Sequence, residues 1–120
     1  MVIENQFKFN SKIVGSTFRD GATELIKGLV PDQVLYLKHE ADNAYDPNAI
    51  AIHLSSEMNS KTHLGYIPKE TAAKLVKDVQ ANNVICQVAQ VTGGVSGKEN
   101  VGCNTLLVVN RLEEGTTNAN

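Results

Sequence analysis

Apolar and polar positions alternate over short stretches of this chain, and polar turns separate one stretch from the next. Stretches of this length and pattern predict β-strands rather than helices. Residues 33–39 are apolar at both odd and even positions, so we expect this strand to be central in its sheet. The predicted strands are residues 12–18, 33–39, 49–54, 63–67, 84–92 and 105–112.

One longer segment has the periodicity of a helix. It begins with Pro68, a residue favoured at the first helical position, and Glu70 follows where a negative charge suits the helix dipole. We expect a main helix at about 68–81, with Asp78 off its apolar face, and a short helix at 22–28. The positions that define the apolar face are Ala72, Leu75, Val76 and Val79.

These elements predict a mainly β (α+β) domain, a small six-stranded OB-like or SH3-like barrel with one main helix. A barrel or curled sheet is expected because it hides strand edges that would otherwise pair with other chains. Residues 12–112 form the predicted domain, after an N-terminal arm or edge strand at 1–11 and before a polar tail at 113–120. The glycine-rich segment 93–102 is expected to be a mobile loop.

The composition restricts the function. A chain of 120 residues is the size of one domain, and no apolar run approaches the ~20 residues that a transmembrane helix needs. Residues 1–10 lack the features of a signal peptide, so we expect a cytoplasmic protein without a membrane partner. The net charge is -2, whereas a protein that holds duplex DNA through many phosphates is usually basic. Any nucleic-acid binding is therefore expected to use a local pocket and few phosphate contacts.

The sequence offers no catalytic constellation. It contains neither a nucleotide-binding glycine loop nor a G-x-S-x-G nucleophile motif. Cys86 and Cys103 match no zinc pattern, and Cys86 lies in an apolar strand where a buried, inert thiol is expected. We therefore predict that the protein is not an enzyme and has no catalytic residue, no cofactor and no metal. A metal site built from Asp46, His53 and His63 stays open as an alternative.

The most distinctive stretch is residues 43–52, a polar turn that runs directly into an apolar strand. Tyr45 places an aromatic ring in the middle of the turn, beside the Asp46 carboxylate. Two interpretations follow from this local chemistry. Either Tyr45 covers the core while Asp46 closes the turn, or the ring and the carboxylate form a binding surface. Glu40 and Asp42, just before the turn, are expected to be solvated loop residues.

This turn and a second motif together resemble the HIRAN domain. The turn contains the run N-x-Y-D-x-N-A-I at 43–50, and the second motif, Gly-Tyr-Ile-Pro at 65–68, stands where a strand meets the main helix. Apolar strands at 13–15 and 34–37 complete the pattern, which covers about 12–111. The HIRAN domain occurs fused to SWI/SNF-type helicases and nucleases, and also as small stand-alone proteins of bacteria and phages.

The resemblance implies a modified OB-like or SH3-like barrel that binds single-stranded DNA and captures its free 3′ end. The Asp46 carboxylate would accept a hydrogen bond from the 3′-hydroxyl and repel a 3′-phosphate. Tyr45 and Phe18 would stack on terminal bases, and Lys69 at the helix start would meet a phosphate. Asn43 would orient the loop or bond a base edge. The implied DNA-binding set is Phe18, Arg19, Asn43, Tyr45, Asp46, Asn48, Tyr66 and Lys69.

Three functional hypotheses follow. The first is a non-catalytic module that recognises a free 3′-OH end of single-stranded DNA and serves a helicase or nuclease in DNA repair or replication. The second is a protein-interaction barrel whose Tyr45 loop docks a peptide or subunit, without DNA binding. The third is a small metal-dependent hydrolase that uses Asp46 with His53 or His63.

Overall fold

The computed structural model describes residues 3–15, 21–93 and 101–112 of the chain. Within these residues the chain forms six strands and two helices. In chain order the elements are β1 (Ile3–Lys12), α1 (Ala22–Lys27), β2 (Val34–His39), β3 (Ile50–His53), β4 (His63–Tyr66), α2 (Lys69–Gln80), β5 (Val84–Thr92) and β6 (Gly102–Leu112).

The strands form one antiparallel sheet in the order β1-β6-β5-β2-β3-β4. The predicted mainly β fold with six strands is confirmed, and β2 lies inside the sheet as its apolar pattern predicted. Among the described residues, the two ends of the sheet meet at one bridge, where Val14 and Tyr66 exchange backbone hydrogen bonds of 2.9 and 2.8 Å. The sheet therefore curls towards a barrel while its hydrogen-bonded ladder stays open.

The first strand differs from its predicted boundaries. The sequence pattern favoured a strand at 12–18 and left 1–11 as an arm or an edge strand. In the structure β1 is an edge strand that pairs with β6 from Ile3 to Lys12, so it occupies mainly the segment 1–11. Gly15 has a φ of 78°, in the left-handed region, so it is not in the extended conformation of a strand. Residues 16–18 of the predicted strand lie outside the described residues. Beyond Lys12, the described residues 13–15 make two further backbone contacts: the Ile13 N–H donates to the Cys103 carbonyl at 3.0 Å, and Val14 forms the bridge to Tyr66.

Two further boundaries move by a few residues. Pro68 keeps a non-helical ψ of 140° and caps α2, so that helix begins at Lys69 rather than at the proline. The last strand begins at Gly102, inside the segment 93–102 that was predicted to be a loop. Residues 94–100 of that segment lie outside the described residues.

One apolar core joins both helices to the sheet. It takes side chains from α1, α2 and strands β2 to β6, and Phe9 of β1 packs against it. Every residue of β3 is buried, so the turn that leads into β3 is attached directly to the core. Burying one leucine or isoleucine side chain contributes about 1.5–3 kcal/mol to the stability of the fold. The largest fully buried side chains include Ile26, Ile50, Ile52, Leu64 and Leu107.

Asp78 was expected to lie off the apolar face of α2, but it is not exposed to solvent. It is buried, and its carboxylate accepts two hydrogen bonds from Arg111 of β6, 3.1 Å from Nε to Oδ1 and 3.0 Å from Nη2 to Oδ2. A count of apolar positions along α2 cannot detect such a residue, because its burial depends on a partner in a distant strand. The two-point ion pair fixes α2 to the last strand.

Both cysteines are buried free thiols, which confirms the prediction for Cys86. Burial, together with the neighbouring Cys103, raises the pKa of the Cys86 thiol to about 12, and burial raises the pKa of Cys103 to about 11. Thiols with such pKa values are protonated at neutral pH and are poor nucleophiles. In the described segments of the chain, neither α1 nor α2 is long and apolar enough to cross a membrane.

Candidate nucleic-acid interface

A shallow groove of about 370 Å³ lies between the turn before β3 and the junction of β4 with α2. We call it the end groove. It brings together residues from both sequence motifs, although residues 51–64 separate the two motifs in the chain. The residues that line it are Val14, Asn43, Tyr45, Asp46, Ala49, Tyr66, Ile67 and Lys69.

The Asn43 side chain fixes the backbone of the turn. Its Oδ1 accepts hydrogen bonds from the backbone N–H groups of Tyr45 at 2.9 Å and Asp46 at 3.0 Å. Its Nδ2 donates to Glu40 Oε1 at 3.0 Å. An asparagine that folds its own turn in this way is a common loop device. Of the two roles predicted for Asn43, these bonds support the orientation of the loop.

The two carboxylate oxygens of Asp46 have different surroundings: one accepts a hydrogen bond within the turn, and the other accepts none from the described residues. Its Oδ1 accepts a hydrogen bond of 2.9 Å from the backbone N–H of Asn48, and its carbonyl accepts one of 3.0 Å from Ala49. Within the described part of the chain, no hydrogen bond reaches Oδ2. The half-buried carboxylate is therefore held in one orientation while its second oxygen can still accept a bond from a ligand.

Tyr45 is 96% exposed, the most exposed large hydrophobic side chain among the described residues. The interpretation in which it covers the core is therefore wrong. Its backbone N–H is held by Asn43, so an exposed ring stands on a fixed turn beside the Asp46 carboxylate. A ring in this position has a free face on which a flat apolar group can stack.

Tyr66 lines the end groove from the junction of β4 with α2. Its ring packs edge-to-face against His63 with centroids 4.8 Å apart, and its hydroxyl donates a 2.9 Å hydrogen bond to Glu40 Oε1. Its backbone pairs with Val14, which also lines the groove. Tyr66 is half-buried, so one part of its ring packs into the fold and another part faces the groove.

Glu40 is the residue that sequence reasoning missed. It was expected to be solvated, but it is half-buried and its Oε1 accepts hydrogen bonds from both Tyr66 and Asn43. Its position three residues before Asn43 was the only local signal. The bond to Tyr66 spans 26 positions of sequence and could not be predicted from the pattern of one chain.

The remaining predicted residues divide into three cases. Lys69 is exposed at the first position of α2, where the helix dipole adds to its positive charge, and it lines the end groove. Asn48 lies on the turn and donates its backbone N–H to Asp46, but it is not part of the groove lining. Phe18 and Arg19 lie outside the described residues.

The histidines do not gather around Asp46. His53 and His63 are buried and stacked with ring centroids 4.8 Å apart. His53 Nδ1 lies 3.0 Å from Thr62 Oγ1, and His63 Nε2 lies 2.9 Å from the Gly65 carbonyl oxygen. Across residues 3–15, 21–93 and 101–112, no group of three or more histidine, cysteine or acidic side chains could hold a metal ion. This part of the chain gives the hydrolase alternative no metal-binding group.

A small antiparallel domain with an exposed ring, a carboxylate and a lysine around one groove has the features of a ligand-binding module. A family model described as the HIRAN domain matches residues 6–110, so the chain belongs to the HIRAN domain family. The family resemblance seen in the sequence is therefore confirmed, and this family is known for DNA binding.

Two solved structures share this fold. A crystal structure of a protein from Lactobacillus plantarum is 16% identical with a TM-score of 0.61, and the match covers 88% of this chain and 99% of that one. The crystal structure of the HIRAN domain of human HLTF is 18% identical with a TM-score of 0.57, and the match covers 92% of this chain and 80% of that one. No curated protein matches the chain.

Proposed function

We propose that this domain is a non-catalytic module that binds single-stranded DNA and recognises its free 3′-hydroxyl end. The observation that carries the proposal is the Asp46 carboxylate. One of its oxygens is fixed by the Asn48 N–H, and the other accepts no hydrogen bond from the described residues, beside the exposed ring of Tyr45.

The chemistry of a carboxylate suits a hydroxyl end. Ionised aspartate only accepts hydrogen bonds, and a 3′-hydroxyl is a donor. A hydrogen bond between a hydroxyl and a carboxylate is about twice as strong as one between neutral groups. A 3′-phosphate at the same place would bring negative charge to the Asp46 carboxylate. The residue that favours the hydroxyl end therefore also disfavours the phosphorylated end.

The other walls of the end groove fit the last nucleotides of a strand. A base stacked on Tyr45 would contribute about 1–3 kcal/mol, with little dependence on its identity. Lys69 and the N-terminus of α2 offer positive charge to a backbone phosphate. Recognition of this kind needs few cations, which is consistent with a net charge of -2.

Such a module binds an end without cutting it. We infer that it presents the 3′ terminus to a separate helicase or nuclease during DNA repair or replication. The family resemblance supports this role, since the HIRAN domain occurs fused to such enzymes.

The proposal is tested by comparing oligonucleotides that differ only at the 3′ end. Binding of matched 3′-OH and 3′-phosphate thymidine oligomers is measured by fluorescence competition for the unchanged protein and for Asp46→Asn. We expect a preference for the 3′-OH form that Asp46→Asn removes. Equal binding of both forms by the unchanged protein contradicts end recognition.

The exposed Tyr45 ring also favours a second candidate, a protein-interaction domain whose turn docks a peptide. The salt dependence of DNA binding separates the two functions. A DNA-binding module binds more strongly as salt is lowered, because binding releases counterions from the phosphates. A protein-interaction domain shows no measurable DNA affinity even at low salt.

A further inference from the structure

A cleft between β1 and α2 continues from the end groove, and we call it the β1–α2 cleft. Its first part is a hollow of about 700 Å³ whose walls include Lys12, Pro68 and Thr71. Its second part is a hollow of about 440 Å³ whose walls include Phe7, Phe9, Thr71, Lys74 and Arg111. Thr71 lines both hollows, so they adjoin.

The cleft and the end groove also adjoin. Lys12 and Pro68 line the near part of the cleft, while Val14 and Lys69 line the end groove. Pro68 and Lys69 are adjacent in the chain, and only Ile13 lies between Lys12 and Val14. The surface therefore leads from Asp46, past the start of α2, and along β1 towards Phe7.

Charge is distributed unequally along this surface. The residues that line the β1–α2 cleft include the cations Lys12, Lys74 and Arg111 and no acidic side chain within the described segments. Asp78 pairs with Arg111 but does not line the cleft. The carboxylate on the surface, Asp46, is at the opposite end, in the end groove. A ligand that fits this arrangement carries one hydrogen-bond donor at its end and negative charges along its length.

An aromatic platform lies at the far end of the cleft. Phe7 is 44% exposed although it stands in a paired strand, and the Arg111 guanidinium lies 5.3 Å from its ring centroid. Phe7 and Val14 are seven positions apart in the chain, which is about 23 Å of extended backbone. At the spacing of stacked bases this length holds about seven nucleotides, within the range of about 4–16 for one OB fold.

We propose that the β1–α2 cleft is a second subsite for the same DNA strand. The strand leaves the end groove in the 5′ direction, its phosphates meet Lys12 and Lys74, and a base stacks on Phe7. This inference rests on the proposed function, because the 3′ end at Asp46 fixes the direction in which the strand runs.

The length dependence of binding tests the second subsite. Unlabelled 3′-OH thymidine oligomers of about three and ten nucleotides compete for a fluorescent ten-mer at low salt, lengths chosen below and within the range expected for one OB fold. We expect the unchanged protein to bind the ten-mer about 5- to 150-fold more tightly, the range that one stacked base supplies. Phe7→Ala should remove most of this gain and leave three-mer binding unchanged.

Lys74→Ala gives a second variant with a matched control. It should weaken ten-mer binding and lower the slope of log affinity against log salt by about 0.7, the loss of one phosphate contact. Lys77→Ala removes another exposed lysine of the same helix that does not line the cleft, and it should bind both oligomers like the unchanged protein. Thermal unfolding of each variant checks that the fold is retained.

The outcomes separate this inference from the proposed function. Equal affinity of the unchanged protein for the two lengths overturns the second subsite while end recognition stands. Equal effects of Lys74→Ala and Lys77→Ala overturn it as well, and so does a Phe7→Ala variant that weakens both lengths equally. If the unchanged protein binds 3′-OH and 3′-phosphate oligomers equally at both lengths, the end recognition on which the subsite depends is overturned.

Discussion

The Tyr66 hydroxyl donates a hydrogen bond of 2.9 Å to Glu40 Oε1. The same Glu40 oxygen accepts a bond of 3.0 Å from Asn43 Nδ2, and Asn43 in turn holds the backbone of Tyr45 and Asp46. Glu40 therefore connects the strand–helix junction to the turn. This carboxylate therefore links the side chains of the two parts of the end groove, in addition to the backbone pairing of β3 with β4.

Replacing Glu40 should loosen the end groove. Glu40→Ala removes the acceptor for two hydrogen bonds, and we expect the free energy of unfolding to fall by about 1–3 kcal/mol in urea titrations. Glu40→Gln keeps a side-chain oxygen of the same reach and is the matched control, with a smaller loss. Discrimination between 3′-OH and 3′-phosphate ends should decrease in Glu40→Ala. Unchanged stability and unchanged discrimination in that variant would show that Glu40 does not position the groove.

Tyr45 should affect binding without affecting stability. Because its side chain is 96% exposed, Tyr45→Ala should change the free energy of unfolding by no more than about 0.5 kcal/mol. Loss of a stacked base should weaken single-stranded DNA binding by about 1–3 kcal/mol. Tyr36→Ala is the control, since Tyr36 is another exposed tyrosine and lies outside the end groove. The stacking role is excluded when both variants bind DNA equally well.

The periodicity of apolar positions predicts single helices and strands but not the way in which they pair. The pattern of apolar positions predicted β5 at its observed boundaries and α2 to within one residue, because each of these elements places a regular apolar face on the core. It did not predict the pairing of β1 with β6, since the partner strand lies at the other end of the chain. It also missed the burial of Asp78, which depends on Arg111.

The candidate site was predictable in its parts but not in its connections. Five of the eight predicted residues line the end groove, because the turn and the strand–helix junction each have a strong local signal. Asn48 contributes its backbone to the turn instead, and Phe18 and Arg19 lie outside the described residues. The role of Glu40 and the continuity with the β1–α2 cleft arise only when β2, β4 and β1 are folded together. Long-range contacts of this kind leave no periodic signal in one sequence.

The ion pair of Asp78 and Arg111 should contribute measurably to stability. Arg111→Ala leaves a buried carboxylate without its bidentate partner, and we expect a loss of about 1.5–3 kcal/mol in the free energy of unfolding. The double variant Asp78→Ala/Arg111→Ala should lose less than the sum of the two single variants, because the unpaired charge is then absent. Strict additivity in this double-mutant cycle would mean that the two side chains do not interact in solution.

The buried thiols predict loss of stability at high pH. The folded-state pKa of Cys86, about 12, lies above the ordinary value of 9.0, so the native state holds its proton where the unfolded chain releases it. The stabilising effect is complete below pH 9 and declines as the pH rises from 9.0 towards 12. The unfolding free energy should fall over this range by an amount on the order of 1 kcal/mol per pH unit.

The control for this pH dependence is the variant Cys86→Ala/Cys103→Ala, in which the decline above pH 9 should be shallower. Iodoacetamide should also label the native thiols slowly at pH 8 and rapidly in denaturant. Equal slopes for the unchanged protein and the variant, or fast labelling of the native state, would show that the thiols are not buried in solution.

Recognition of the 3′ end by Asp46 is the central claim, and Asp46→Asn tests it with the least disturbance of the fold. Asparagine keeps an oxygen that can cap the Asn48 N–H. It removes the negative charge and replaces the second oxygen, the proposed acceptor of the 3′-hydroxyl, with an NH2 donor. The decisive measurement is the ratio of affinities for matched 3′-OH and 3′-phosphate oligonucleotides, in the unchanged protein and in Asp46→Asn. A ratio well above one that falls to about one in the variant is the predicted result. A ratio of one in the unchanged protein, or a preference that survives Asp46→Asn, contradicts the claim.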